Sequence, residues 1–132
     1  RQAGKVHFFG WLSQESCASV LRDSDALVLP SLMECGGAVV LEAMAMAMPA
    51  IATNWGGPAD YLDSTCGILV DPTSKEGFVD GLRIALQTLA EQPELRVAMG
   101  RVGRQKIIDH FDWEVKVDRM VEMYQQVGVA HR

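Results

Sequence analysis

The segment Glu34-Cys35-Gly36-Gly37-Ala38-Val39-Val40-Leu41-Glu42 holds the residues of this chain best suited to chemistry. Two carboxylates flank a pair of glycines. Between Ala38 and Ala52 the only charged residue is Glu42. A lone carboxylate among apolar residues is costly to bury without partners, so it either reaches solvent at a helix edge or lines a polar cleft. Composition alone favours the solvent edge or a helix-dipole role. Glu34 falls in a loop just before a helix expected to start near Gly37. Gly36 and Gly37 bare backbone N–H groups at the positive end of that helix, a ready site for phosphate that a ligand can approach closely. The plainer alternative is that both glycines only relieve strain in a strand-to-helix turn. In combination, amides can hold an anion and carboxylates can accept from neighbouring hydroxyls. A ligand with both phosphates and many hydroxyls, a nucleotide sugar, suits them.

The elements that must position these residues follow from the apolar pattern. Val6 to Phe9 is a short β-like run stopped by Gly10. Ser13 caps a helix expected to run to about Arg22, with Cys17, Val20 and Leu21 on one face. Ala26 to Leu29 is a continuous apolar run ended by Pro30, as expected of a strand buried on both faces. A loop spans Ser31 to Gly37, and Ala38 to Met48 is helical in composition, ending before Pro49. Ala50 to Thr53 reads as a second buried strand, and Asn54-Trp55-Gly56-Gly57-Pro58 as loop. Gly67 to Val70 is another strand, closed by Asp71-Pro72. Thr73 and Glu76 have capping-box spacing, and Phe78, Leu82, Leu86 and Leu89 form an apolar helical stripe. Pro93 suits a first helical turn, and a basic helix follows to about Asp109. Asp112 caps a last helix carrying Val117, Met120, Val121 and Tyr124.

Strands alternating with helices predict an α/β fold, a Rossmann-like parallel sheet of about four strands flanked by helices. Ligands in such sheets bind beyond the carboxyl ends of the strands. Gly10, Pro30-Ser31 and Asn54 to Gly57 occupy three of those ends, although small residues also simply make turns.

The chain has 132 residues, 48% hydrophobic and 22% charged, enough for one ordinary core. It begins at Arg1 rather than Met, which fits a fragment or processed piece. Net charge is −5, against broad nucleic-acid or anionic-membrane binding. No apolar run approaches the roughly 20 residues of a membrane span, and no signal-type leader is visible. Cys17, Cys35 and Cys66 are odd in number and lack CxxC spacing, which argues against disulfides or zinc and for a reducing, cytoplasmic setting. His7, His110 and His131 are too scattered for a metal cluster.

The central segment resembles the Glu-x7-Glu signature of the retaining group 1 glycosyltransferases, which have the GT-B fold. Val6-His7-Phe8-Phe9-Gly10 resembles the family's V-x-F-x-G strand. Ser24-Asp25-Ala26 through Pro30-Ser31 resembles its S-D-A…P-S strand. Leu41-Glu42-Ala43-Met44-Ala45, Pro49, Thr53-Asn54 and Gly56-Gly57 resemble L-E-A-M-A…P-V-I-A-T-N-x-G-G. Gly67-Ile68-Leu69-Val70 with Pro72, and Phe111-Asp112-Trp113, resemble G-L-L-V-x-P and F-S-W. The resemblance covers about residues 5 to 127 in order.

The resemblance implies the C-terminal, donor-binding half of a GT-B enzyme. Residues 1–132 are then one domain, a fragment of a longer protein, with residues 112–130 a terminal helix reaching toward a missing N-terminal domain. The implied reaction moves a sugar from a nucleoside-diphosphate sugar to an acceptor hydroxyl with retention, without cofactor or metal. Glu34 matches the glutamate beside the donor sugar and is the candidate catalytic residue. Glu42 matches the acceptor of the ribose hydroxyls. Gly37 and Ala38 match positions whose amides meet the donor phosphate or sugar, with Gly36 and Ser31 beside them. Gly10 and Trp11 match a wall of the base pocket, with Leu12 next to them; packing in a hydrophobic core is the alternative for Trp11. An acceptor sugar or lipid-linked glycan, and any membrane association, would belong to the missing half. Alternatives are a non-catalytic nucleotide-sugar-binding module and another GT-B enzyme such as a sugar-nucleotide epimerase. A dehydrogenase is disfavoured, because no strand is followed by GxGxxG. The chain departs from the family at Gly36, where an aromatic is common, and at Asp60, where Glu is usual. The basic pair that clamps the diphosphate lies upstream of this chain.

Overall fold

The computed structural model describes residues 6–130. Helix α1 (Gln14–Arg22) leads to strand β1 (Leu27–Leu29), α2 (Ala38–Ala45), β2 (Ala50–Thr53), α3 (Gly57–Tyr61), β3 (Gly67–Val70), α4 (Lys75–Glu91) and α5 (Pro93–Lys106). A π-helical turn (Ile107–Phe111) and α6 (Trp113–Ala130) follow. The strands form one parallel sheet in the order β1-β2-β3, with Val28 opposite Ile51 and Ile51 opposite Ile68.

Strand alternation divides the core into two layers. Ala50 and Ala52 face Val40, Met44, Leu62 and Cys66 on the α2–α3 side. Ile51 and Val70 face Phe78, Ala85, Leu89 and Met99 on the α4–α5 side. β2 is buried at every residue because it has a strand on both edges and helices on both faces. β1 is only half-buried, since it is the sheet's edge.

Three strands form among the described residues, one fewer than expected. Val6 to Phe9 is not a strand, and Val6, Phe8 and Phe9 are exposed. A strand exists only through its neighbour's hydrogen bonds, and among the described residues none pairs with this run. The burial expected of β1 on both faces is halved for the same reason. Cys17 is exposed, so α1 turns only Ala18, Val20 and Leu21 partly inward. Ser13 does cap α1, accepting from Ser16 N at 3.2 Å.

Helix α2 is three residues shorter than its apolar composition suggests, ending at Ala45 rather than Met48. Its chain reverses through Ala47 at φ 57°, with Met48 N donating to Ala43 O at 3.0 Å. This is the helix-terminating arrangement that normally uses glycine. A left-handed alanine costs about 1–2 kcal/mol, and Ala47 is exposed, so its methyl packs little. Ala47→Gly is therefore expected to stabilise by about 0.5–1 kcal/mol, raising the melting temperature by about 2–3 °C. An unchanged or lower melting temperature would show that the backbone turns differently here.

Helix α4 is capped by Ser74, whose Oγ accepts from Gly77 N at 3.1 Å, and not by Thr73. Its buried stripe is Phe78, Ala85 and Leu89, while Leu86 points outward. Pro93 opens α5 as expected. The helix gives way at Lys106 to the π-helical turn, short of Asp109. Lys106 pairs with Asp63 at 2.8 Å, and its hydrogen bond holds that carboxyl well below the usual range. Asp112 starts α6, accepting from Glu114 N at 2.9 Å. Val117, Met120, Val121 and Tyr124 of α6 are exposed.

Candidate functional site

The site is built where two loops meet at the carboxyl ends of β1 and β2. The first, Ser31 to Gly37, feeds α2. The second, Asn54 to Gly56, feeds α3, an element hidden from sequence reasoning because Gly-Gly-Pro reads as a turn. Proline is tolerated there because a helix's first amides have no internal partner anyway.

The two loops interlock backbone to backbone. Gly57 N donates to Cys35 O at 2.9 Å. A Cβ on Gly57 would lie 2.1 Å from Gly36 O, and one on Gly56 would lie 2.3 Å from Glu34 O. Gly37 has φ 60° and serves as the N-cap of α2, with Pro58 pressed against it. Glycine is required at these three positions by close approach or by backbone conformation. Gly36 differs, because a Cβ there would meet nothing within 4 Å. The strain-relief reading of the glycine pair thus holds for Gly37 and not for Gly36.

Glu34 is half-buried and braces its own loop. Its Oε1 accepts from Cys35 N at 3.0 Å and Gly37 N at 2.9 Å. That role was not legible in the sequence, since it depends on the loop doubling back. It also means that the Gly37 amide is already bonded. No side chain caps α2. Val40 N turns back to Gly37 O, which leaves the amides of Ala38 and Val39 without a hydrogen-bond partner among the described residues. Both lie at the positive end of the helix, where an anion is favoured. Helix α2 is eight residues long, and Glu42 sits one turn beyond Ala38 on the same face, exposed and without a partner among the described residues.

Ser31 is half-buried where β1 ends. Gly10 has φ 65°, so glycine suits that turn. Trp11 is 97% exposed, which rules out core packing for it. Among the described residues no hydrogen bond joins Gly10 or Trp11 to the Glu34–Glu42 segment. The structure therefore brings Glu34, Gly36, Gly37 and Ala38 together in one loop and helix start, with Glu42 on the helix beyond. Sequence reasoning missed Asp71, whose Oδ1 accepts from Asn54 Nδ2 at 2.6 Å and steadies the second loop. Its only signal was a polar residue closing the neighbouring strand. Thr53 was also missed; its Oγ1 is buried at the end of β2 without a partner among the described residues. Among the described residues, no three His, Cys, Asp or Glu side chains converge as a metal site would need, and no helix is long and apolar enough to cross a membrane.

Residues 2–106 match the family model for glycosyl transferases group 1. The chain belongs to the group 1 glycosyltransferases. Its fold is that of the C-terminal domain of GT-B enzymes. It is similar to the D-inositol 3-phosphate glycosyltransferase of Saccharomonospora viridis, 31% identical over 89% of this chain and 26% of that protein. The glycogen synthase of Mycobacterium tuberculosis is 30% identical over 90% of this chain and 28% of its own length. Among solved structures, the sucrose-phosphate synthase of Thermosynechococcus elongatus superposes with a TM-score of 0.80 at 30% identity, over 96% of this chain and 31% of that one. The C-terminal domain of a Francisella tularensis glycosyl transferase group 1 family protein gives 0.66 at 29% identity, over 80% of this chain and 53% of that one. The chain thus spans about a quarter of the length of these two curated relatives.

Proposed function

We propose that this chain is the donor-binding half of an enzyme that transfers a sugar from a nucleoside-diphosphate sugar to an acceptor hydroxyl, with retention of anomeric configuration. The observation that carries the reading is the start of α2. Its Ala38 and Val39 amides are free, Glu34 lies before them and Glu42 one turn after. Four residues of helix span about 6 Å, a distance suited to a ligand with a charged middle and hydroxyls at both ends.

In this reading the free amides bind the donor diphosphate, and the Glu42 carboxylate accepts from the ribose hydroxyls. Glu34 stands at the reacting sugar, with Gly36 leaving room beside it. As the glycosidic bond breaks, negative charge grows on the departing diphosphate and positive charge on the sugar ring. Amides fixed at a helix end stabilise that diphosphate without reorganising, because the interlocked glycine loops already hold them. The two curated relatives, a D-inositol 3-phosphate glycosyltransferase and a glycogen synthase, are about equally similar to this chain. One name gives an inositol phosphate as the group acted on and the other gives glycogen as the product, so we assign acceptor choice to the part of the enzyme outside this domain.

Placing donor and acceptor in line is worth roughly 7–11 kcal/mol of barrier. The isolated chain is therefore expected to show no transferase turnover with UDP-, GDP- or ADP-glucose, whereas the full-length protein is expected to transfer the sugar. Proton NMR of the product's anomeric signal tests retention. An inverted product would overturn the assigned stereochemistry, and turnover by the isolated chain would overturn the division of labour.

A further inference from the structure

Trp55 has no part in the core, yet its position is tightly held. Its side chain is 57% exposed. Its backbone N–H donates to Thr53 O at 2.8 Å. The preceding Asn54 is bonded twice, from its backbone N to Val70 O at 2.9 Å and from its side chain to Asp71. The following Gly56 is pressed against the Glu34 carbonyl, where a Cβ would come within 2.3 Å. A large indole is thus presented to solvent from a backbone with little freedom, next to the loop that carries Glu34. Folding does not require it there, because an exposed indole leaves most of its apolar surface in water. Across the interlock, Gly36 leaves open space, with no atom within 4 Å of where a Cβ would stand. Trp55 and Gly36 thus stand on the two interlocked loops, one bringing a large exposed aromatic and the other bare space.

A pyranose ring has hydroxyls on its edges and C–H groups on its faces. An indole matches such a face with a broad apolar plane and offers one N–H donor at its rim. We infer that Trp55 is the wall against which the donor's transferred sugar lies, and that with the space over Gly36 it determines which sugars are accepted. The inference rests on the donor-binding reading above. It commits to the sugar rather than the base because Trp55 adjoins the Glu34 loop, whereas Glu42 lies on the helix beyond it.

The test is calorimetric titration of the wild-type chain, Trp55→Ala and Trp55→Phe with UDP, GDP and ADP and with their glucose conjugates, alongside melting curves. The conjugate of whichever diphosphate binds is expected to bind wild type more tightly than the bare diphosphate. Trp55→Ala should lose about five- to tenfold on the conjugate and nothing on the bare diphosphate, with Trp55→Phe recovering most of the loss. Melting temperatures should stay close to wild type, because the side chain is exposed. An unchanged ratio of conjugate to diphosphate affinity in Trp55→Ala would overturn the inference while leaving the donor reading standing. An equal loss on both ligands would overturn it too, showing that Trp55 serves the nucleotide or the loop. If no diphosphate binds any variant, the donor reading fails and takes this inference with it.

Discussion

Replacing Gly57 by alanine is expected to lower the melting temperature by about 10 °C and to abolish nucleotide binding. The new Cβ would stand 2.1 Å from Gly36 O, 2.7 Å from Gly36 C and 3.0 Å from Cys35 O. All three are backbone atoms, so no side-chain rotation relieves the clash. Overpacking usually costs about 1–3 kcal/mol, and here the bond from Gly57 N to Cys35 O is strained as well. About 3 kcal/mol corresponds to roughly 10 °C in a domain of this size. The loop that must move is the one that sets the Ala38 and Val39 amides, so binding falls with stability. Gly36→Ala is the matched control. Its Cβ meets nothing within 4 Å, and its melting temperature should stay within about 2 °C of wild type. Circular dichroism melts of the two variants decide the point, and similar melting temperatures would mean that the loops do not interlock as described.

Glu42→Gln is expected to weaken diphosphate binding by about one to two decades and to leave folding alone. Glu42 is exposed and has no hydrogen-bond partner among the described residues, so neutralising it removes no bond seen in the fold. A hydrogen bond to a charged group is worth about 1.5–3 kcal/mol, and the ribose offers two neighbouring hydroxyls to one carboxylate. Glu34→Gln should behave in the opposite way. It weakens two charge-assisted bonds to loop amides, so stability falls by about 1 kcal/mol, while affinity for the bare diphosphate barely changes. In the full-length enzyme the same substitution should lower turnover. If both carboxylates only favoured the helix N-terminus, both substitutions would be mildly destabilising and neither would be selective for ligand.

The sheet was legible where a strand's burial is set by its own residues. Ala50 to Thr53 and Gly67 to Val70 are short apolar runs between turn signals, and both are strands. Val6 to Phe9 has the same pattern and is not one, because pairing depends on a neighbour that a local pattern cannot supply. The end of α2 escaped for a different reason. Met46 and Met48 are good helix formers, but α5 crosses so closely at Gly100 that a Cβ there would stand 1.9 Å from Ala47 O, and tertiary packing dictates the reversal. At the site, residue types and spacing pointed to Glu34, Gly36, Gly37 and Glu42, and the family resemblance added Ala38. They did not show that Glu34 bonds Gly37 N, nor that Gly56 and Gly57 lock against Glu34 and Gly36 some twenty positions earlier. Such contacts join two loops through backbone atoms that every residue has, so no side-chain pattern announces them.

Isothermal titration of UDP, GDP and ADP into the isolated wild-type chain tests the central claim most directly. The account predicts that one of the three binds with a dissociation constant of about a millimolar or below, since the free Ala38 and Val39 amides and Glu42 are all present in this domain. The absence of binding by all three at saturating millimolar ligand, in a chain that melts cooperatively, would contradict it.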